Sequence, residues 1–304
     1  MTHLDKLPHN IDLGAVRLRV NAIAAVYDFY TRGIGLSEIG RHGHDIVLGL
    51  EKRPILILEE DHTLRRPSPR EAGLFHVAIL FPTQAVLAAH LASALAKYRQ
   101  HYVGPGDHLV SQAFYFTDPE GNGVELYWDR PRQEWQWKNG LVVMDTLHID
   151  AAAFIREHLN DDEIRQAIRP DLAEWSQSSL AHVGHVHLQV GDTKTAHAFY
   201  VDTLGFDLTA RLGNSAIFVS AGGYHHHMAM NTWNSAGASR RHDTLGLANI
   251  DLFLPEADSI AALEDRLSYA GVAYQRGDGQ LTVYDPWNNQ LSIRQGVQGE
   301  ALVG

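Results

Sequence analysis

The chain contains no cysteine in its 304 residues. That excludes a disulfide framework, a thiolate metal site, an iron–sulfur cluster and a cysteine nucleophile. No stretch approaches the roughly 20 apolar residues of a membrane-spanning helix. The opening MTHLDKLPHN has no apolar core of the kind a secretory signal needs, so a cytoplasmic location is expected. Basic residues are in deficit. The net charge of -11 argues against nucleic acid or an anionic membrane as a partner. Hydrophobic residues make up 45% and charged residues 20%, a globular composition, and the length suffices for two domains. Histidine is abundant, with 19 copies. Without thiols, imidazoles and carboxylates are the strong metal ligands left.

The most informative stretch runs from His108 to Trp128, HLVSQAFYFTDPEGNGVELYW. Ala113–Thr117 reads as a strand. The run Asp118-Pro119-Glu120-Gly121-Asn122-Gly123 reads as a turn, because proline presets φ and glycine and asparagine tolerate positive φ. Val124–Trp128 reads as a second strand with Glu125 and Tyr127 on one face and Val124 and Leu126 on the other. A carboxylate inside an apolar strand is costly to bury without a partner. Glu125 is therefore either a residue on a wet sheet face or a metal ligand.

Taken in order, residues 1–10 are a polar lead-in. Gly14–Val20 alternates as a strand, and a helix capped by Asn21 follows with Ile23, Val26, Tyr27 and Tyr30 at helical spacing. Gly33 and Gly35 end it. Ile46–Leu50 and Pro54–Glu59 read as further strands, completing a βαβββ unit. A second unit comprises strand Leu74–Phe81, helix Gln84–Tyr98 and the strands around the Asp118 turn. Residues 131–180, with Trp135, Trp137 and Trp175, read as a helical linker that packs on the first domain. The pattern then returns. Gly184, Val186, Leu188, Val190, Phe199, Tyr200 and Gly205 repeat Gly14, Val16, Leu18, Val20, Phe29, Tyr30 and Gly35 at a constant offset of 170. Leu247–Pro255 echoes Leu74–Pro82, and Asp285–Asn289 echoes Asp118–Asn122. A gapless match of this kind marks an internal duplication. The chain holds four βαβββ units.

Four such units, with a histidine on a first strand and a glutamate on a last strand, resemble the vicinal oxygen chelate superfamily. The telling segments are Phe75-His76-Val77, Gly121–Tyr127, Gly184-His185-Val186-His187-Leu188 and Ala221–His227. Together they are most similar to two-domain catechol 2,3-dioxygenases. The resemblance implies an α+β fold of two vicinal oxygen chelate domains whose mixed sheets roll into cups. Along the chain these are domain 1 (11–130), the helical linker (131–180) and domain 2 (181–295). It implies an Fe(II)-dependent extradiol dioxygenase, with Mn(II) or another divalent metal as alternatives to iron. A catechol or substituted catechol and O2 are the implied partners, and a homo-oligomer is expected. Two rivals stay open. One is another metalloenzyme of the superfamily, a hydroquinone-cleaving dioxygenase or a glyoxalase-like isomerase. The other is a non-catalytic protein that binds a small aromatic compound.

At the first-strand ligand position the four units carry Ala15, His76, His185 and Asn249, and at the last-strand position the second has Glu125 and the fourth Ser292. The ligand types survive only in units two and three. Two imidazoles and one carboxylate suit non-haem Fe(II). The expected metal ligands are His76, Glu125 and His185. His187 shares the strand face of His185, so either can be the ligand, and the other then lies beside the metal or substrate. The resemblance places an acid–base histidine at His227, the last residue of the His225-His226-His227 run, with His225 or His187 as alternatives. It assigns Tyr115, ten residues before Glu125, to hydrogen-bonding the bound catecholate, and His108 to a neighbouring base. In many relatives units one and two share a cup. Here that pairing separates His185 from His76 and Glu125. The full trio therefore requires unit two to pair with unit three and unit one with unit four, leaving the Ala15/Asn249/Ser292 cup metal-free.

Overall fold

A computed structural model describes residues 6–169, 180–277 and 279–296. Residues 1–5 of the lead-in, and 170–179 of the linker with Trp175, lie outside the described residues.

The first unit comprises β1 (Asp12–Val20), α1 (Ile23–Asp28), β2 (Ser37–His42), β3 (Asp45–Leu50) and β4 (Arg53–Glu60). A wider helical turn, Phe29–Ile34, extends α1 and stops at Gly35, whose φ of 86° is left-handed. Asn21 does not cap this helix. Its Oδ1 bonds His62 Nδ1 at 2.8 Å. The cap comes instead from unit two: Glu120 Oε1 accepts from the backbone N–H groups of Asn21 (2.8 Å) and Ala22 (2.6 Å). A carboxylate at a helix N-terminus suits both the free donors and the dipole.

The second unit comprises β5 (Gly73–Leu80), α2 (Gln84–Tyr98), β6 (Tyr102–Asp107), β7 (Ser111–Thr117) and β8 (Gly123–Asp129). The linker holds a short hairpin, β9 (Trp137–Lys138) and β10 (Leu141–Val142), then α3 (Ala151–His158) and α4 (Asp161–Ala167). Both helices pack on α2. Unit three is β11 (His182–Gln189), α5 (Thr193–His197), β12 (Asp207–Leu212), β13 (Ala216–Ser220) and β14 (Met228–Asn231). Unit four is β15 (Gly246–Leu254), α6 (Ala257–Tyr269), β16 (Tyr274–Gly277), β17 (Gln280–Tyr284) and β18 (Gln290–Gln295).

The duplication is visible in the turns. Asp118 Oδ1 accepts from the N–H groups of Glu120 and Asn122, and Asn122 Nδ2 donates to Oδ2. Asp285 makes the same set with Trp287 and Asn289.

The strands form two eight-stranded mixed sheets, an α+β architecture. Their orders are β16-β17-β18-β15-β1-β4-β3-β2 and β12-β13-β14-β11-β5-β8-β7-β6. Unit one thus pairs with unit four through β1 and β15, and unit two with unit three through β5 and β11, both antiparallel. Each sheet draws one unit from each half of the chain. Between the sheets β1 meets β11 and β5 meets β15. Val16, Leu18, Val77, Ile79, Val186, Leu188, Ile250 and Leu252 belong to one buried core there. Burial of such alternating aliphatic faces is the main stabilising contribution, at about 25 cal/mol per Å².

Helix α2 starts at Thr83, whose side chain accepts from Val86 N–H. It carries a fully buried histidine, His90, whose Nδ1–H donates to the Ile34 carbonyl at 2.6 Å. Burial lowers the His90 pKa from 6.5 to about 4. The neutral form is favoured in the fold, so this contribution is complete above pH 6.5 and is lost as the pH falls towards 4. The shift corresponds to roughly 3 kcal/mol at 1.36 kcal/mol per unit. In urea unfolding, His90→Gln, which keeps a donor but does not titrate, should lose about that much less stability than the parent between pH 7 and pH 4. Equal losses in the two proteins would remove His90 as a source of acid sensitivity.

Candidate metal centre

The exposed-core logic of β8 places Val124 and Leu126 in the core and Glu125, Tyr127 and Asp129 on the opposite, concave face. On that face the strand registers align one row of side chains. His185 on β11 stands opposite Ala78 on β5, Ala78 stands opposite Glu125 on β8, and Glu125 stands opposite Tyr115 on β7. His76 is one pleat along β5 from Ala78, on the same face. The methyl group of Ala78 leaves room for His185 and Glu125 to reach towards each other.

His76, Glu125 and His185 meet there, all buried, with exposures of 5%, 2% and 2%. His76 Nε2 lies 2.9 Å and His185 Nε2 3.1 Å from Glu125 Oε2, and the two Nε2 atoms are 3.3 Å apart. Ligands roughly 2.0–2.2 Å from an ion and at right angles lie about 3.0 Å apart, whereas tetrahedral angles spread them to about 3.4 Å. The separations of 2.9, 3.1 and 3.3 Å fall within this range, so one ion can be reached by all three atoms. Among the described residues it is the one cluster of histidine and acidic side chains able to hold a metal ion. Burial raises the Glu125 pKa, but His185 and His76 together outweigh it and hold the carboxyl well below its usual range. Burial lowers the His76 pKa, against the pull of Glu125. A carboxylate and a neutral imidazole are the forms that bind metal.

The surrounding shell is largely aromatic and imidazole. Tyr127 packs on His185, with centroids 4.8 Å apart. Its hydroxyl occupies the space a Cβ on Gly184 would take, 1.8 Å away, so glycine is needed beside His185. His187 lies opposite His76, 4.9 Å between rings, with Nε2 3.0 Å from Asn231 Nδ2. It is thus the neighbour and His185 the member of the trio. Phe75, Phe218 and the half-exposed Trp233 surround the His187 ring. Tyr115 Oη lies 2.6 Å from His108 Nε2, and His108 Nδ1 lies 2.9 Å from the Asp145 carbonyl. A carbonyl only accepts, so His108 carries its proton on Nδ1 and Tyr115 donates to Nε2. Burial, then the charge of Glu125, raise the Tyr115 hydroxyl pKa well above that of a free phenol.

The histidine run departs from expectation. Residues 225–227 precede β14 in a bend, so strand alternation does not apply to them. His226, not His227, is the member that packs closest on the trio, its ring 4.2 Å from that of His185. His227 instead places Nδ1 2.8 Å from Ser220 Oγ and its ring 4.9 Å from Tyr224. Burial takes its pKa down to about 3. His225 is fully buried and joins Asp129 to His226: Nε2 is 2.8 Å from Asp129 Oδ1, and Nδ1 is 2.7 Å from His226 Nδ1. Asp129, Asn231 and Trp233 carry no motif. The face shared by Glu125, Tyr127 and Asp129 on β8 is the one sequence signal that could have found Asp129.

In the other sheet the corresponding cup is filled by a different chemistry. Ala15 packs with Val47 and Ile57, Ser292 donates to Asn249, Asn249 donates to Asp251, and Arg17 pairs with Asp45 and Glu59.

Comparison with known proteins follows this geometry. The glyoxalase/bleomycin resistance protein/dioxygenase superfamily model matches residues 12–126 and 182–293. The chain belongs to that superfamily. A catechol-2,3-dioxygenase from Bacillus subtilis is 35% identical over 281 residues, 90% of this chain and 93% of that protein. Among solved structures, a putative dioxygenase from Bacillus subtilis superposes with a TM-score of 0.59 at 11% identity, covering 95% of this chain and 86% of its own. Glyoxalase I from Zea mays superposes with a TM-score of 0.56 at 14% identity, covering 93% and 92%. Within the superfamily, this chain is an enzyme of the dioxygenase kind.

The Ala78 position yields a test that alters no ligand. Ala78→Leu puts a branched side chain between His185 and Glu125. Metal content by elemental analysis should fall at least tenfold while the circular dichroism of the sheets persists. Full occupancy in this variant would show that the trio does not close across Ala78.

Proposed function

We propose that the protein is an Fe(II)-dependent extradiol dioxygenase that opens the ring of a catechol next to its two hydroxyl groups. The observation that carries this reading is the buried convergence of His76, His185 and Glu125 within 2.9–3.3 Å of one another. Two imidazoles and one carboxylate on one side of an ion are the donor set of non-haem ferrous oxygenases. Bound Fe(II) supplies electron transfer between the diol and O2.

The chain's own residues supply the rest. Phe75, Phe218 and Trp233 form an aromatic wall beside His187, which suits a planar ring. Tyr115 stands beside Glu125 with its proton retained and given to His108 Nε2, and the hydroxyl can turn that proton to a diolate oxygen only by releasing His108. His226 packs on His185, and burial, reinforced by His185 and His225, keeps its pKa well below that of free imidazole. The neutral ring can accept a hydroxyl proton from the diol and return it during ring opening. In this reading it takes the role that the family resemblance implies for His227, and His187 rests on Asn231 at the wall.

Anaerobic purification with iron, followed by oxygen uptake and formation of a yellow product from catechol, tests the reading. Glu125→Ala and His76→Ala should lose iron and turnover together. His226→Phe should keep iron and bind catechol, with kcat lower by roughly 10²–10⁴-fold. His227→Phe should remain within about tenfold of the parent, on the same scale of acid–base effects. Full iron occupancy in Glu125→Ala and His76→Ala would refute the metal centre. Unchanged kcat in His226→Phe, with a loss in His227→Phe, would reverse the assignment of the proton acceptor.

A further inference from the structure

Behind His226 runs a continuous chain of polar groups, buried except at Asp129, whose side chain is 18% exposed. Tyr127 Oη is 2.8 Å from Tyr224 Oη, Tyr224 Oη is 2.8 Å from Asp129 Oδ2, and Asp129 Oδ1 is 2.8 Å from His225 Nε2. His225 Nδ1 is 2.7 Å from His226 Nδ1. Two rings hold His225 in place: Tyr224, tilted at 4.1 Å, and Trp135 at 5.1 Å. Among the described residues no protein group bonds His226 Nε2, the remaining nitrogen of the ring that packs on His185.

Donor bookkeeping gives this chain a direction. A carboxylate only accepts, so both Asp129 oxygens are acceptors, one from the Tyr224 hydroxyl and one from His225 Nε2–H. With the Tyr224 proton spent on Asp129, Tyr127 must donate to Tyr224. With the single proton of His225 spent on Asp129, its Nδ1 carries a lone pair and accepts from His226. His226 then carries its one proton on Nδ1. Every donor points towards Asp129, and the last ring is left with a bare Nε2.

We infer that Asp129 and His225 are positioning residues that fix the tautomer of His226, so that its Nε2 is presented unprotonated on the ring that faces the metal centre. The inference rests on the proposed role of His226, but its physical content is a proton location that exists with or without a metal. The second nitrogen of a buried imidazole sets what the first can do, and an acid behind it holds ring and tautomer together. A lone His226 could adopt either tautomer, and one of the two cannot accept a proton at Nε2.

The test is ¹⁵N NMR of histidine-labelled full-length protein, metal-free and again after loading with zinc. His225→Phe and His226→Phe identify the signals. The parent should show His226 protonated at Nδ1 and bare at Nε2. In Asp129→Ala that pattern should give way to an Nε2–H or exchanging tautomer. With iron, Asp129→Ala should lower kcat by roughly 10–100-fold with KM and iron content nearly unchanged, the usual scale for an outer partner. A parent His226 protonated at Nε2, donated to by a doubly protonated His225, would overturn the inference. So would an unchanged tautomer in Asp129→Ala. The proposed metal centre fails separately. If Glu125→Ala retains iron while His226 shows the expected tautomer, the centre is wrong and the proton chain stands. If the trio binds iron while His226 carries Nε2–H, the chain is wrong and the centre stands.

Discussion

One buried carboxylate constrains this molecule more than any other group. Glu125 is 2% exposed on a central strand. An ionised group so placed is tolerable only if compensation reaches it from several sides. Its own unit supplies one imidazole, His76. The second, His185, comes from a strand 60 residues further on. The compensation therefore exists only if unit two joins unit three along β5 and β11. That seam forces the remaining units, one and four, to join along β1 and β15. The pairing of whole units thus follows the needs of one side chain and of the metal it can hold.

The two cups show what a duplicated scaffold does where that need is absent. Both sheets share strand order and the aspartate-anchored turn. In one, the concave face carries histidines and a glutamate whose donor atoms crowd together. In the other, the same positions carry Ala15, Asn249 and Ser292. Ion pairs from Arg17 to Asp45 and Glu59, and hydrogen bonds from Ser292 to Asn249 and from Asn249 to Asp251, satisfy the face internally. A polar concave face with its groups paired to one another contributes to stability; one whose lone pairs converge on a single point contributes to ligand binding at a cost in stability.

Much of this was legible in the sequence, for identifiable reasons. The constant offset between Gly14–Gly35 and Gly184–Gly205 exposed the duplication, and period-two alternation exposed the strands. The survival of ligand types in two units revealed the trio and, through it, the unit pairing. Helix α2 could be read because its long apolar run is bounded by Pro82 and Thr83. Elsewhere local pattern was a poor guide. Asn21 looks like a helix cap, but a carboxylate 99 positions away takes that role. The triple histidine run looks like strand, in which His225 and His227 would share a face. A bend before β14 turns His226 towards the trio and His227 towards Ser220. Asp129 left only a faint trace, its place on the Glu125 face of β8, because its hydrogen-bond partner lies 96 positions on.

The seam between β5 and β11 also has a consequence in time. Ribosomal synthesis proceeds at roughly 5–20 residues per second, N-terminus first. Unit two is therefore complete well before His185 leaves the ribosome, and β1 must wait for β15, the last unit's first strand. The sheet of β5 and β11 cannot close before unit three emerges, nor that of β1 and β15 before unit four does, and such long-range pairings are slow to form. Until then β1 and β5 each lack their antiparallel neighbour, and the emerging chain offers aggregation-prone edges. The same delay leaves a half-built site, with one histidine and one glutamate, until β11 joins β5. Assembly order thereby postpones the meeting of His76, Glu125 and His185 until unit three has emerged.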